Sequence, residues 1–231
     1  MKHALIKSAL AFIATISLGT AMSTVSVHAA SATKTFSTSN PNKLTAYYSS
    51  KKAQYAFHWV TVKTNKGKVR VMVFGDFKAA KTTMVLPLTT TLSKNRKTLS
   101  STYRIVGSND KVGTHNYHFK LTKISSTKYQ VKLATSGQRR LLSTTGTTTT
   151  FTATTKSPAK TFAAAYSESV IKTAETSELN TELEAAYKEA LKKDATAKDP
   201  TTDSAMQKEV TDLVNSTTKS KLADLVSSFN M

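Results

Sequence analysis

Through the first two thirds of the chain apolar side chains recur at every second position, and through the last third at every third or fourth. Tyr55, Phe57 and Trp59 alternate with Ala56, His58 and Val60, and Val69, Val71 and Val73 alternate with Lys68, Arg70 and Met72. Tyr117, Phe119 and Leu121 face one way and His118, Lys120 and Thr122 the other, while Tyr129, Val131 and Leu133 stand opposite Lys128, Gln130 and Lys132. Period two predicts half-buried antiparallel strands, because successive strand side chains leave opposite sides of the pleat. Turn residues separate the runs at Asn65 to Gly67, Asn109 to Gly113, Ser125 to Thr127, Ser136 to Gly137 and Thr145 to Gly146, which is the spacing of a meander. About eight strands fit between Leu44 and Thr155, many of them rich in Thr, whose branched side chain suits a pleated surface. Closing them into a small barrel or packing them as a sandwich would protect edges such as Thr147 to Thr155. Pro87, with no N–H to give to a ladder, belongs on an edge or at a bulge.

After Ser157 the period becomes helical. Ser157 can cap the turn that Pro158 opens, and Phe162, Tyr166 and Val170 repeat every four residues. Leu179, Leu183, Tyr187 and Leu191 continue the stripe after an expected break near Thr176, with Glu184 and Lys188 spaced as an i, i+4 pair. Asp199 and Pro200 predict a turn, and the apolar positions from Met206 to Phe229 predict one or two further helices. Such stripes must be buried, so the tail is expected as a helical hairpin, a lid on the barrel or an oligomer seam. The fold class is therefore α+β: an antiparallel β meander forming a small barrel or sandwich, followed by a C-terminal helical hairpin or bundle.

Charge divides the chain at the same place. From Ala30 to Lys160 there are 23 basic residues and two acids, Asp76 and Asp110, a net of +21; from Thr161 onward 8 basic residues face 12 acidic ones, a net of −4. The first thirty residues have the layout of a secretory signal, with Lys2 and Lys7 before an apolar run from Ala9 to Leu18 and small residues Val27 and Ala29 before a cut. The expected organisation is a signal peptide at 1–30, a flexible Ser/Thr/Asn leader at 31–42, a basic β domain at 43–156 and an acidic amphipathic helical region at 157–231. No transmembrane segment is expected after cleavage. Leu86 to Thr89 match part of the Gram-positive wall-sorting motif, but Thr90 stands in place of its Gly and the position is mid-chain, so the match is read as coincidence.

Candidate chemistry is sparse. The chain has no Cys, which excludes disulfides, thiolate zinc sites and thiol catalysis. Two isolated acids in the β region offer no glycosidase-like pair, and no nucleophile elbow, phosphate loop or dinucleotide fingerprint is present. His115 and His118 differ by an odd number and point to opposite faces of a strand, so solvent-facing histidines are expected, His58 included. Neither an enzymatic activity nor a cofactor or metal is expected. Tyr55, Phe57, Trp59, Tyr117 and Phe119 either fill the barrel as core or line an apolar pocket at its mouth. The positive signal is a basic surface carrying Lys68, Arg70, Lys94, Arg96, Lys97, Lys120, Lys128, Lys132, Arg139 and Arg140. Such a surface attracts polyanions, since each neutralised phosphate releases a counterion.

In composition this Lys- and Thr-rich, Cys-free exported chain resembles the small basic secreted or surface proteins of lactobacilli and related Gram-positive bacteria. The resemblance covers the whole chain and rests on no specific motif. It implies a secreted protein, free outside the cell or held non-covalently on the cell wall through an anionic, teichoic acid-like polymer, with self-association through the C-terminal helices as a further option. The meander also resembles small lipocalin-like barrels, which implies the alternative of a carrier for an apolar small molecule. Extracellular nucleic-acid binding is a third reading, which the charge permits.

Overall fold

The computed structural model describes residues 35–37, 44–64, 67–107, 111–132 and 148–231. The predicted signal, most of the leader, the turns at 136–137 and 145–146, and Leu133, Asp110, Arg139 and Arg140 lie outside them. Eight antiparallel strands form a closed barrel in simple meander order, so the barrel alternative is the correct one. They are β1 (Tyr47–Ser50), β2 (Tyr55–Thr64), β3 (Gly67–Asp76), β4 (Lys81–Leu92), β5 (Thr98–Ile105), β6 (Tyr117–Lys123), β7 (Lys128–Lys132) and β8 (Thr149–Thr154), with β8 closing onto β1. The helical tail follows as a short helix α1 (Ala159–Phe162), a widened turn at Ala163–Ser167, α2 (Glu168–Lys193) and α3 (Ser204–Phe229).

Aromatic rings fill the barrel. Phe57 on β2 stacks on Tyr48 of β1 at 4.8 Å, and meets Phe119 of β6 and Phe151 of β8 at 5.3 Å and Phe74 of β3 at 5.6 Å. Such ring pairs add to the area they bury through edge-to-face and offset geometry. Pro87 sits where the β4–β5 register shifts, between Pro87 and Thr89, as its missing N–H requires.

The outside of the barrel has two halves. On β5 to β8 the outward positions are polar: Thr98, Ser100 and Thr102, then His118, Lys120 and Thr122, then Lys128, Gln130 and Lys132, then Thr150 and Thr152, which is the alternation that the sequence predicts. On β1 to β3 the outward positions Tyr47, Ala56, Val60 and Val73 are apolar and join Phe77, Phe162, Leu225 and Phe229 in a second core beneath the helices. Strands β2 and β3 are therefore buried on both faces along part of their length, and the expectation of one buried face fails there. His58, expected to face solvent, is buried in this second core: it lies between the rings of Tyr47 at 4.7 Å and Phe229 at 4.9 Å, with Nε2 bonded to the Phe229 carbonyl.

Gly75 on β3 is required at this seam. A Cβ there would come within 2.6 Å of the Phe77 ring and 2.9 Å of the Phe229 ring, so any side chain would force these rings, and with Phe229 the end of α3, to shift. Ser167 Oγ ties the start of α2 to the Phe77 carbonyl at 2.7 Å.

The tail is a hairpin whose root rests on the barrel wall and whose far half packs only on itself. Each long helix has 26 residues, about 39 Å of axis. Asp203 caps α3, accepting from the Ala205 and Met206 amides, and Asp199 caps the expected turn, accepting from Thr201 N at 2.8 Å. The irregularity expected near Thr176 lies instead at Ala163–Ser167, and α2 runs unbroken through Thr176. In place of the expected Glu184–Lys188 pair, the two ion pairs seen among the described residues are Glu189–Lys192 and Glu175–Lys221. Among the described residues no helix is long and apolar enough to cross a membrane.

Candidate functional site

Meander order alternates the hairpins between the two ends of the barrel, so the β2–β3, β4–β5 and β6–β7 connections share one end. Among the described residues that end carries seven cations, against five (Lys51, Lys52, Lys78, Lys81 and Lys111) at the connections of the other end, where Asp76 also lies. Lys63 and Lys68 flank the β2–β3 turn, Lys94, Arg96 and Lys97 occupy the β4–β5 turn, and Lys123 and Lys128 bracket the β6–β7 turn. Lys120 and Lys132 stand on the helix-free wall behind them, directly opposite one another across β6 and β7. Of the ten cations predicted as a polyanion surface, the structure therefore groups Lys68, Arg70, Lys94, Arg96, Lys97 and Lys128 at or near one end and Lys120 and Lys132 on the adjoining wall; Arg139 and Arg140 are outside the described residues.

Two of these positions differ from expectation. Lys68 and Arg70 were expected on the solvent side of β3, but the register Trp59–Met72, Thr61–Arg70, Lys63–Lys68 puts them on the same side as the interior residues Met72 and Phe74. The alternation was legible, but its direction was not, because the Val face of β3 is covered by helices rather than by the barrel interior. Arg70 is half-buried; its Nη2 donates to the Leu44 carbonyl at 2.8 Å and its Nη1 to Thr61 Oγ1 at 3.1 Å. Burial pulls its pKa down, though a guanidinium keeps its charge in a protein.

Two cations, Arg96 and Lys123, hold residues 35–37 across this end. Arg96, in the left-handed region at φ 55°, donates to the Phe36 carbonyl at 3.0 Å and to the Ser37 carbonyl at 2.5 Å, and its own carbonyl accepts from Phe36 N at 2.8 Å. Lys123, buried, donates to the Thr35 carbonyl at 3.2 Å, and its burial lowers its pKa. Phe36 itself is 4% exposed and packs on Tyr129, so this residue of the expected leader is part of the barrel core.

The carboxylates do not answer this charge. Asp76, the one acid on the described strands, is buried at the opposite end, where its Oδ1 accepts from Ala79 N at 3.1 Å, and burial raises its pKa. Asp110 is outside the described residues. The two recorded ion pairs both lie within the helices. Lys63 faces Lys68, and Lys120 faces Lys132, at the cross-strand spacing where like charges destabilise a sheet. Sequence reading missed Lys63, although the turn predicted at Asn65 to Gly67 would bring Lys63 and Lys68 close in register and so was a usable signal.

Of the five residues considered for an apolar pocket, Phe57, Trp59 and Phe119 pack on one another. Tyr55, Phe57, Trp59 and Phe119 are buried in the main core, and Tyr117, half-buried, stacks on Tyr103 at 5.6 Å. His58 and His118 stand on β2 and β6, which do not pair, and His118 Nδ1 lies 3.4 Å from Thr102 Oγ1. No protein-family model, no characterised protein and no solved structure matches the chain.

Proposed function

We propose that this is a secreted, non-enzymatic cell-surface protein that binds an anionic, teichoic acid-like wall polymer through its basic barrel. The observation that carries the reading is the pairing of lysine against lysine, at Lys63–Lys68 and Lys120–Lys132, on surfaces that the acidic helices leave open. A fold keeps such pairs at a cost, and a polyanion laid over them removes it while releasing counterions. The predicted export signal and the compositional likeness to surface proteins of lactobacilli support a polyanion of the cell wall.

The carrier alternative has less support, since rings from β1, β2, β3, β6 and β8 occupy the volume that an apolar ligand would need. Base-stacking recognition of nucleic acid is also disfavoured, because among the described residues the exposed large apolar ones are Leu88, Val112, Ile124, Val170 and Leu191 and include no aromatic ring. Co-sedimentation with purified cell walls across a salt series tests the proposal. Retention should fall steeply between low and moderate salt and after the walls are stripped of phosphate; retention indifferent to both overturns it.

A further inference from the structure

The barrel wall comes apart at its cationic end. Pairing of β3 with β4 stops at Met72–Val85, whereas pairing of β2 with β3 continues to Thr64–Gly67. On the other side, β1 pairs with β2 only from Tyr48–Phe57 to Ser50–Tyr55. From Val60–Val71 outward the β2–β3 hairpin is thus a two-stranded arm whose ladder is its own, five register pairs or roughly 16 Å long. The cause lies on β4: Pro87 has no N–H to offer β3, and the register shift after it turns the rest of β4 toward β5.

The arm is two-faced. Val60, Val62, Val69 and Val71 share one side, of which Val71 is buried and the other three half-buried. Thr61, Lys63, Lys68 and Arg70 share the other, where Thr61, Lys63 and Lys68 are exposed. Arg70 roots the arm through the Leu44 carbonyl, and the next turn around the barrel brings Lys94 and Lys97 to the same end.

Resting on the polymer-binding reading above, we propose that this arm is the principal grip, and that its ligand is the phosphodiester backbone of a polyol-phosphate chain lying between the arm and the β4–β5 turn. The exposed Lys63–Lys68 rung and the Thr61–Arg70 rung behind it, whose half-buried guanidinium bonds Leu44 and Thr61, are about 6.7 Å apart, close to the phosphate repeat of an extended three-carbon polyol phosphate. Lysines suit such a ligand as point charges that need no planar partner, and the face carries no ring on which a base could stack.

The test measures binding of a defined poly(glycerol phosphate) to the full chain by fluorescence anisotropy across a salt series. Three variants accompany the parent: Lys63→Gln with Lys68→Gln, Lys94→Gln with Lys97→Gln, and Lys120→Gln with Lys132→Gln. Emission of the buried Trp59 confirms that each is folded. The arm variant should bind at least tenfold more weakly, with a salt slope smaller by about 1.4, the turn variant about threefold to tenfold more weakly, and the wall variant less than threefold. Equal losses in the arm and wall variants would overturn the arm as the grip while leaving polymer binding intact. Salt-independent or absent binding by the parent would overturn the polymer reading itself. Tighter binding of duplex DNA than of poly(glycerol phosphate) would overturn the choice of ligand.

Discussion

In the helical hairpin, acids and bases are interleaved and partly consume one another, as in Glu189–Lys192 at 2.6 Å and the part-buried Glu175–Lys221 pair. In the barrel, basic residues outnumber acids more than tenfold, like charges face each other across strands, and stability comes from an interior filled with aromatic rings. The contrast separates two jobs. A domain held together by an aromatic interior can leave its surface cations unneutralised, and those cations are then free to meet something outside the molecule. The hairpin has only a narrow seam and the barrel wall to hold it, so its charges serve its own fold.

The contrast predicts a hierarchy of mutational effects. Phe57→Ala, at the centre of five ring contacts, should cost about 3–5 kcal/mol and unfold barrel and hairpin together in a urea titration followed by Trp59 emission. A barrel that survives this change with less than about 1 kcal/mol of loss would remove the ring-filled interior as its main support. Phe229→Ala should cost about 3 kcal/mol, but selectively: helical circular dichroism is lost at lower urea than the barrel signal, because the ring sits at the seam with His58, Tyr47 and Phe77. Coincident transitions would make the two regions one cooperative unit.

Acidification probes the same seam without mutation. Burial holds the His58 pKa below its ordinary value, with the nearby Arg70 charge acting in the same direction and the carbonyl bond from Phe229 opposing them. The folded state therefore prefers the neutral ring: its contribution is full above about pH 6.5 and is lost as pH falls through the lowered folded pKa. Hairpin stability should decline from neutral pH toward pH 5 in the parent and lose that component in His58→Phe. An unchanged pH profile in the variant would dissociate His58 from the effect.

Smaller effects belong to the charges of the hairpin. Glu175→Gln, which leaves the half-exposed Lys221 without its partner, should cost roughly 1–2 kcal/mol, less than a fully buried pair because water reaches the lysine. Lys192→Ala, in a pair open to solvent on both sides, should change stability by less than about 0.5 kcal/mol. Reversal of that order in thermal denaturation would mean that burial does not govern these pairs.

Much of this was readable from residue order. Alternation at Tyr117, Phe119 and Leu121 and at Tyr129 and Val131 gave both the strands and their inward faces, because on β6 and β7 no described helix covers the outer side. Asp199–Pro200 and Pro87 announced a turn and a bulge through chemistry that does not depend on neighbours. The candidate surface was legible as a set of cations but not as an arrangement: Lys63 was overlooked, and Lys68 and Arg70 were assigned to the wrong side of β3.

Residue order alone determined the two periods, the charge division near Ser157 and hence a basic β region followed by an acidic helical one, since hydrophobic spacing and charge are local properties of the chain. Tertiary structure alone decided which side of β2 and β3 is the interior, that Phe36 closes one end, and that the wall opens below Met72–Val85. Periodicity reports that a face is buried without reporting against what, and on β3 two different partners, the ring-filled interior and the helix α3, bury opposite faces of one strand.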